Sequence, residues 1–131
     1  MTRVYTFVNQ KGGVGKTTSA ISLSAYLASF GQRVLLIDLD PQANATSSLG
    51  IDKRLVKNGT YQGLISGQPV APHILHNPRF KISILPSSPD LAGAEIELIE
   101  LDKRESRLKD MLAPVLERYD YVLVDCPPSL S

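Results

Sequence analysis

The first 31 residues combine a short apolar strand, a glycine loop and a helix. "RVYTFV", residues 3–8, is rich in β-branched and aromatic residues, which predicts a buried strand. The loop "NQKGGVGKTT", residues 9–18, follows at once. "KTTSAISLSAYLASFG" then has apolar residues at helical spacing and ends at Gly31, which predicts a helix with a glycine C-cap. This order restricts the chain to folds in which a glycine loop joins a strand to a helix.

Three further apolar runs predict the remaining strands. "RVLLID", residues 33–38, comes directly after the helix, so a right-handed strand–helix–strand unit and a parallel sheet are expected. "KISILPSS" and "YVLVDCPP" predict a third and a fourth strand, and two prolines stop the latter. We therefore predict an α/β fold with a mainly parallel sheet flanked by helices.

The segments between these strands have weaker signals. "NATSSLG" predicts a short helix, while "TYQGLISGQ" and "PHILHN" resemble short helical turns among glycine and proline breakers. Residues 91–119, "LAGAEIELIELDKRESRLKDMLAPVLERY", are mostly helical in pattern, with an expected break at residues 102–104. Pro114 is placed where it should kink or restart the helix.

Composition narrows the class of protein. The chain has 131 residues, enough for one domain with one core, so residues 1–131 are treated as a single unit. Its net charge of +1 gives no support to DNA binding through bulk positive charge, although a local patch remains compatible with it. The single cysteine excludes an internal disulfide, and no apolar run reaches the roughly 18 residues of a membrane span.

The glycine loop has the composition of a phosphate-binding site. Gly12, Gly13 and Gly15 would let backbone N–H groups point at phosphate oxygens, and the helix N-terminus adds its dipole. Lys16 would reach the β- and γ-phosphates, and the Thr17 hydroxyl would bind Mg²⁺. The alternative is a tight glycine turn without a ligand, which does not account for the cation and hydroxyls at the helix start.

Three aspartates end predicted strands. Asp38 and Asp40 follow "RVLLI", and alternation would put both on one side if the strand persisted. One could orient an attacking water while the other supports a metal ion; the alternative is an acidic turn before Pro41. Asp125 ends "YVLVD", the arrangement of a Walker B acid, which is a weak signal without the glycine loop.

Other polar residues have simpler interpretations. His73 and His76 have a spacing that is compatible with metal binding. Because no cysteine or acid lies at a suitable spacing beside them, a zinc site is disfavoured. Cys126 is expected to be a small buried residue. Residues 95–102 predict a solvated acidic helix face. A modest basic surface is expected nearby, from Lys103, Arg104, Arg107 and Lys109.

The loop departs from a strict Walker A motif, and the departure is informative. G-x-x-x-x-G-K-[ST] requires glycine where this chain has Gln10, and it does not require Lys11. "KGGVGKTT" instead resembles the deviant Walker A motif of the ParA/MinD group of P-loop NTPases. "DLDPQ" resembles that family's switch I, and "DCPPSL" resembles switch II of the ParA type in particular. Residues 52–80 match the family only loosely.

The resemblance implies roles for individual residues. Lys11 would be the signature lysine that reaches the nucleotide of the opposite subunit, and Lys16 and Asp40 would act in catalysis, Asp40 on the water. Mg²⁺ would be held through Thr17, Asp38 and Asp125. The expected ATP-binding residues are Gln10, Lys11, Gly12, Gly13, Val14, Gly15, Lys16, Thr17 and Thr18.

The implied function is that of a ParA/Soj-type partition ATPase of chromosomes or plasmids. Such a protein uses ATP and Mg²⁺, forms an ATP-dependent homodimer, binds DNA nonspecifically and is stimulated by a ParB-type partner. It would be cytoplasmic and nucleoid-associated, with no membrane contact. Alternatives are a MinD-like positioning ATPase, which "DCPPSL" disfavours, another regulator with the same ATPase unit, and a folded fragment without turnover.

The resemblance also implies that this chain is shorter than typical members of the family. Family members are roughly twice as long, so this chain resembles the N-terminal part of one domain, truncated after the Walker B strand. Adenine contacts and most DNA contacts are expected in the other part. We therefore expect the isolated chain to bind ATP poorly.

Overall fold

Five strands form one sheet in the computed structural model, which describes residues 1–8, 14–90 and 104–126. In chain order they are β1 (Arg3–Val8), β2 (Val34–Asp38), β3 (Leu75–Asn77), β4 (Ile82–Leu85) and β5 (Tyr121–Cys126). Their order across the sheet is β1-β5-β2-β4-β3. The pairs β1–β5, β5–β2 and β2–β4 are parallel, and β3 runs antiparallel to β4. The predicted mainly parallel α/β fold is confirmed.

Four helices and three single turns connect these strands in the described part of the chain. The helices are α1 (Val14–Ser29), α2 (Asn44–Ser48), α3 (Thr60–Ile65) and α4 (Arg104–Leu112). The 3₁₀ turns are Lys53–Leu55, Ala71–His73 and Leu116–Arg118. None of these helices combines the length and the apolar character needed to cross a membrane.

α1 ends as its sequence predicts. Gly31 has a φ of +80°, and its N–H donates to the carbonyl oxygen of Ala28 at 3.0 Å. Only a residue that tolerates the left-handed region ends a helix in this way without strain. The buried side of α1 carries Ala20, Ser24 and Ala28 at a spacing of four, and these small side chains let the helix approach the sheet closely.

The sheet is packed on both faces, which explains its continuous apolar strands. Leu36, Ile84 and Leu123 lie in one buried cluster with residues of α1 and α2. Residues from the alternate positions of the same strands lie in the other cluster, with Leu64 of α3 and Met111 of α4. A strand buried on both faces has no polar side, so it reads as an apolar run rather than an alternating one.

Two sequence predictions are corrected here. β1 is a strand as predicted, but it is not buried: Val4 is 46% and Tyr5 is 42% exposed. Within the described sheet β1 is an edge strand that pairs only with β5. "PHILHN" was predicted as a helical turn, which is right for Pro72 and His73 in the 3₁₀ turn but wrong for Leu75–Asn77, whose backbone pairs with β4 to form β3. Tertiary pairing overrides local propensity in such a short segment.

The long helix predicted over residues 91–119 is described only from Arg104 onward, and its expected break at residues 102–104 lies largely outside the described residues. α4 ends at Leu112, two residues before Pro114. Proline disfavours helical backbone in the residue that precedes it, so this end agrees with the predicted interruption.

A glycine sets the distance between α3 and α4. A Cβ at Gly63 would lie 2.5 Å from Cγ1 of Val70 and 2.7 Å from Sδ of Met111. We predict that Gly63→Ala lowers the unfolding free energy by about 1–3 kcal/mol, the usual cost of overpacking a core. Ser66→Ala, at the exposed end of the same helix, should stay within about 0.5 kcal/mol of wild type. Urea unfolding measures both, and equal values for the two variants would contradict this packing.

Candidate functional site

Three carboxylates meet at the carboxyl ends of β2 and β5. Asp38 is the last residue of β2 and lies directly opposite Asp125 in the parallel register with β5. Asp40 follows two residues later. One oxygen atom from each carboxylate lies within 4.8 Å of the others. All three side chains are buried, with exposed fractions of 0%, 5% and 0% for Asp38, Asp40 and Asp125. The structure thus brings together the acids that the sequence singled out.

The Asp38 carboxylate is held by three donors. Its Oδ1 accepts a hydrogen bond from the backbone N–H of Asp40 at 3.0 Å. Its Oδ2 accepts from the backbone N–H of Thr46 at 2.8 Å and from the Thr46 hydroxyl at 2.6 Å. A carboxylate has about four acceptor positions, so these three donors from the described residues leave one position on Oδ1 for another partner.

Asp40 is held in a similar way by the start of α2. Its Oδ1 accepts from the backbone N–H of Gln42 at 2.9 Å. Its Oδ2 accepts from the backbone N–H of Asn44 at 3.3 Å and from the Asn44 side-chain amide at 2.8 Å. The acidic turn considered as an alternative is therefore present together with the carboxylate cluster. β2 ends at Asp38, so this turn, rather than strand alternation, brings Asp40 back to Asp38.

Burial changes the electrostatics of the cluster. It raises the pKa of Asp38 from the ordinary 3.8 to about 7, and the negative charge of Asp125 adds to this rise. The hydrogen bonds from Thr46 and Asp40 oppose it by favouring the ionised form. Several buried carboxylates so close together are stabilised by a divalent cation, and oxygen ligands are those that Mg²⁺ prefers. The residues present therefore fit the magnesium site that the sequence predicts.

A second hydrogen-bonded layer connects the acids to the end of β4. The backbone N–H of Ser87 donates to the Thr46 hydroxyl oxygen at 2.9 Å, and the Ser87 hydroxyl donates to the carbonyl oxygen of Asp40 at 2.9 Å. The preceding carbonyl, that of Pro86, accepts the backbone N–H of Thr60 at the start of α3. The sequence analysis missed Asn44, Thr46 and Ser87. A sequence signal for them exists, because each is a polar residue that closely follows the end of a strand. Asn44 and Thr46 lie in "NATSS" shortly after Asp38 and Asp40, and Ser87 lies in "PSS" directly after β4.

The phosphate-loop residues are only partly described. Gln10, Lys11, Gly12 and Gly13 lie outside the described residues. The backbone of Val14, Gly15, Lys16 and Thr17 belongs to the first turn of α1, and Thr18 follows with an exposed side chain. β1 ends beside β5, with Phe7 opposite Asp125 and Val8 opposite Cys126. The loop therefore leaves the sheet at the same end as the three acids. Cys126 is buried, as predicted.

The sequence of this chain is similar to that of known proteins. The AAA domain family matches residues 2–131. The chromosome partitioning protein ParA of Myxococcus xanthus is 48% identical over 130 residues, which are 98% of this chain and 46% of that protein. The sporulation initiation inhibitor protein Soj of Bacillus subtilis is 48% identical over 131 residues, 100% of this chain and 52% of that protein. The chain belongs to the AAA domain family, in its ParA/Soj group. It spans about half the length of these relatives.

Solved structures agree with this assignment. A cobyrinic acid a,c-diamide synthase of Mycobacterium smegmatis, crystallised with an ATP analogue and magnesium, has a TM-score of 0.87 and 41% identity. It is matched over 98% of this chain and 52% of that one. A plasmid partition protein of Borrelia burgdorferi has a TM-score of 0.78 and 31% identity, over 98% of this chain and 57% of that one. The P-loop ATPase fold predicted for this family member is confirmed.

The raised pKa of Asp38 predicts a pH dependence of stability in the absence of divalent cations. Between about pH 4 and pH 7 the folded protein retains a proton on Asp38 that the unfolded chain has lost. The unfolding free energy should therefore fall as the pH rises through this window and level off above it. Asp38→Asn should reduce this decrease, which urea midpoints measured from pH 4.5 to 7.5 in EDTA would reveal.

Two partly exposed surface carboxylates provide an internal control, because their contribution to the unfolding free energy has the opposite dependence on pH and a different pH window. Arg54 and Arg33 lower the pKa of Asp52 and Asp120 to about 2. Their contribution is complete above about pH 4 and is lost as the pH falls toward 2. It should therefore be the same in Asp38→Asn and wild type. Parallel pH profiles of the two proteins between pH 4.5 and 7.5 would show that Asp38 is already ionised there.

Proposed function

We propose that this chain forms the phosphate- and magnesium-binding part of an ATP-hydrolysing partition protein. The observation that carries the proposal is the buried cluster of Asp38, Asp40 and Asp125 at the sheet end where the glycine loop begins. Ligands of open α/β sheets bind beyond the carboxyl ends of the strands. The magnesium and ATP analogue in the matched synthase structure support the same ligand class.

The glycine loop would bind the phosphates. Backbone N–H groups of residues 10–18 would point at phosphate oxygens, and Lys16 would neutralise the β- and γ-phosphates. The start of α1 at Val14 supports this role, because the free N–H groups of a helix N-terminus favour an anion. Thr17 would contribute its hydroxyl to the metal site.

The three aspartates would have two different roles, metal binding and orientation of the attacking water. Asp38 and Asp125 would hold Mg²⁺ together with Thr17, and Asp40 would orient the attacking water. Bound Mg²⁺ supplies positive charge to the β- and γ-phosphate oxygens during transfer. Asp40 suits its task because three donors in the described part of the chain fix its carboxylate and leave one acceptor position for a water proton.

Lys11 would act between subunits. A second cation at the phosphates stabilises the charge that develops in the transition state, as an arginine finger does. Contributed from the opposite subunit, it would make ATP binding and dimerisation mutually dependent. We propose that the dimer binds DNA nonspecifically, with most basic contacts outside this chain. A ParB-type protein would stimulate hydrolysis, in the cytoplasm and at the nucleoid.

Size in solution tests the role of Lys11 and Asp40. Light scattering of wild type at millimolar ATP and Mg²⁺ should show a dimer that is absent without nucleotide or in EDTA. Lys11→Ala should remain monomeric, because the contact between subunits is lost. Asp40→Ala should give a longer-lived dimer, because hydrolysis should slow by about 100-fold or more when the group that orients water is removed.

Arg54→Ala is a suitable control for this experiment, because it removes a cation from an exposed position with a side chain 81% exposed. It should dimerise as wild type does. A wild type that stays monomeric at millimolar ATP and Mg²⁺ would contradict ATP-dependent dimerisation of this chain. A Lys11→Ala dimer as stable as that of wild type would contradict the role of Lys11 between subunits.

The similarity to a cobyrinic acid a,c-diamide synthase favours one other function, amide ligation driven by ATP on the same phosphate site. The curated relatives at 48% identity named ParA and Soj favour partition. The two functions differ in what accelerates ATP consumption. Partition requires acceleration by DNA and a DNA-binding protein, whereas ligation requires a carboxylic acid and an ammonia source.

A further inference from the structure

The first residues of α2 lie against two of the three acids and make matching contacts with them. We propose that Thr46 and Asn44 are positioning residues, Thr46 for the Asp38 carboxylate and Asn44 for the Asp40 carboxylate. This inference rests on the proposed function, because it assigns to α2 the orientation of the acids that would bind metal and water. Neither residue needs to contact the nucleotide to act in this way.

The Thr46 hydroxyl has a defined direction. A hydroxyl can donate one hydrogen bond and accept others, and its proton normally rotates to suit. Here the backbone N–H of Ser87 can only donate, so the Thr46 oxygen accepts from it at 2.9 Å. The hydroxyl proton is therefore available for Asp38 Oδ2 at 2.6 Å, a distance typical of a charge-assisted bond. Thr46 is 0% exposed, so water does not compete for this proton.

The two acids are held in the same pattern. In each carboxylate, Oδ2 accepts both a backbone N–H and a side-chain donor of one α2 residue. In each, Oδ1 accepts a single backbone N–H, from Asp40 in one case and Gln42 in the other. Once the donors of residues 1–8, 14–90 and 104–126 are assigned, the remaining acceptor position is on Oδ1 of both acids. α2 thus determines which oxygen of each acid is available for another partner.

The helix itself does not need these side chains as caps. Its N-cap residue is Ala43, which makes no side-chain capping bond and has a φ of +56°. A non-glycine residue in the left-handed region is uncommon and carries a small strain. This conformation lets the chain turn so that Asn44 and Thr46 both contact the acids. The polar side chains therefore contact the acids instead of capping their own helix.

Matched variants test the proposal. Thr46→Val removes the hydroxyl at nearly constant volume, Thr46→Ser retains it, and Asn44→Ala removes the side-chain amide. Thr60→Val and Asn77→Ala are the controls: the Thr60 hydroxyl is equally buried but contacts the carbonyls of Leu85 and Pro86. The Asn77 side chain bonds Leu49 and Phe80. Neither control residue has a hydrogen bond to the three acids within the described part of the chain.

The first readout is independent of metal and nucleotide. The ¹³C resonances of the aspartate carboxyl carbons are measured in EDTA for each variant. Thr46→Val should move the Asp38 resonance and leave that of Asp40 nearly unchanged, while Asn44→Ala should do the reverse. Thr46→Ser should restore the wild-type Asp38 resonance. If the Asp38 resonance is the same in Thr46→Val and wild type, the role proposed for Thr46 is wrong. If the Asp40 resonance is the same in Asn44→Ala and wild type, the role proposed for Asn44 is wrong.

The second readout separates positioning from a purely structural role. Mn²⁺ binding in the presence of ATP is measured from the free-ion EPR signal relative to a protein-free solution with the same ATP concentration, because ATP itself binds Mn²⁺, and ATP turnover is measured alongside. Thr46→Val should weaken Mn²⁺ binding by about 10-fold, the usual effect of losing an outer-shell partner of a ligand, and Thr46→Ser should recover most of it. Asn44→Ala should lower turnover about 10-fold with Mn²⁺ affinity within about two-fold of wild type.

Two other outcomes have distinct meanings. If the variants and controls lose affinity and turnover together, in proportion to their loss of thermal stability, α2 has only a structural role and the proposal is wrong. If wild type binds no Mn²⁺ with ATP, the proposed function fails for this chain. The carboxyl resonances then still decide whether Thr46 and Asn44 orient the acids.

Discussion

The parallel pairing of β2 with β5 is the constraint on which the candidate site depends. It places Asp38 directly beside Asp125, both fully buried, at the end of two strands whose other residues are apolar. Burial of the carboxylate is the main reason that the pKa of Asp38 is raised, and the neighbouring charge of Asp125 adds to the rise. A divalent cation bound between the acids would relieve their repulsion.

The hydrogen bonds around the acids make the site part of a larger unit. Thr46 joins Asp38 to the backbone of Ser87, and the Pro86 carbonyl beside it accepts the N–H of Thr60. Gly59 allows this close approach, since a Cβ there would lie 2.2 Å from the Pro86 oxygen. A movement of the acids would therefore displace the end of β4 and the start of α3.

The sequence predicted more of the fold than of the site. Apolar runs ending in Asp38 and Asp125 located two central strands and their acids, because burial on both faces leaves a clear pattern. β3 was missed, since three residues of an edge strand have no period of their own. The exposure of β1 was also missed, because strand order depends on tertiary pairing. Thr46 and Asn44 were missed because the turn that directs them to the acids depends on Ala43 adopting a left-handed conformation.

α2, a short helix whose N-cap residue makes no side-chain capping bond, holds the carboxylates of Asp38 and Asp40 at the same time. Its free N–H groups need acceptors, and the buried carboxylates need donors. The two requirements meet in the hydrogen bonds from the backbone N–H groups of Asn44 and Thr46 to the carboxylates of Asp40 and Asp38. Loss of one of these hydrogen bonds would leave buried polar groups unpaired, which costs more in a site of low dielectric than in water.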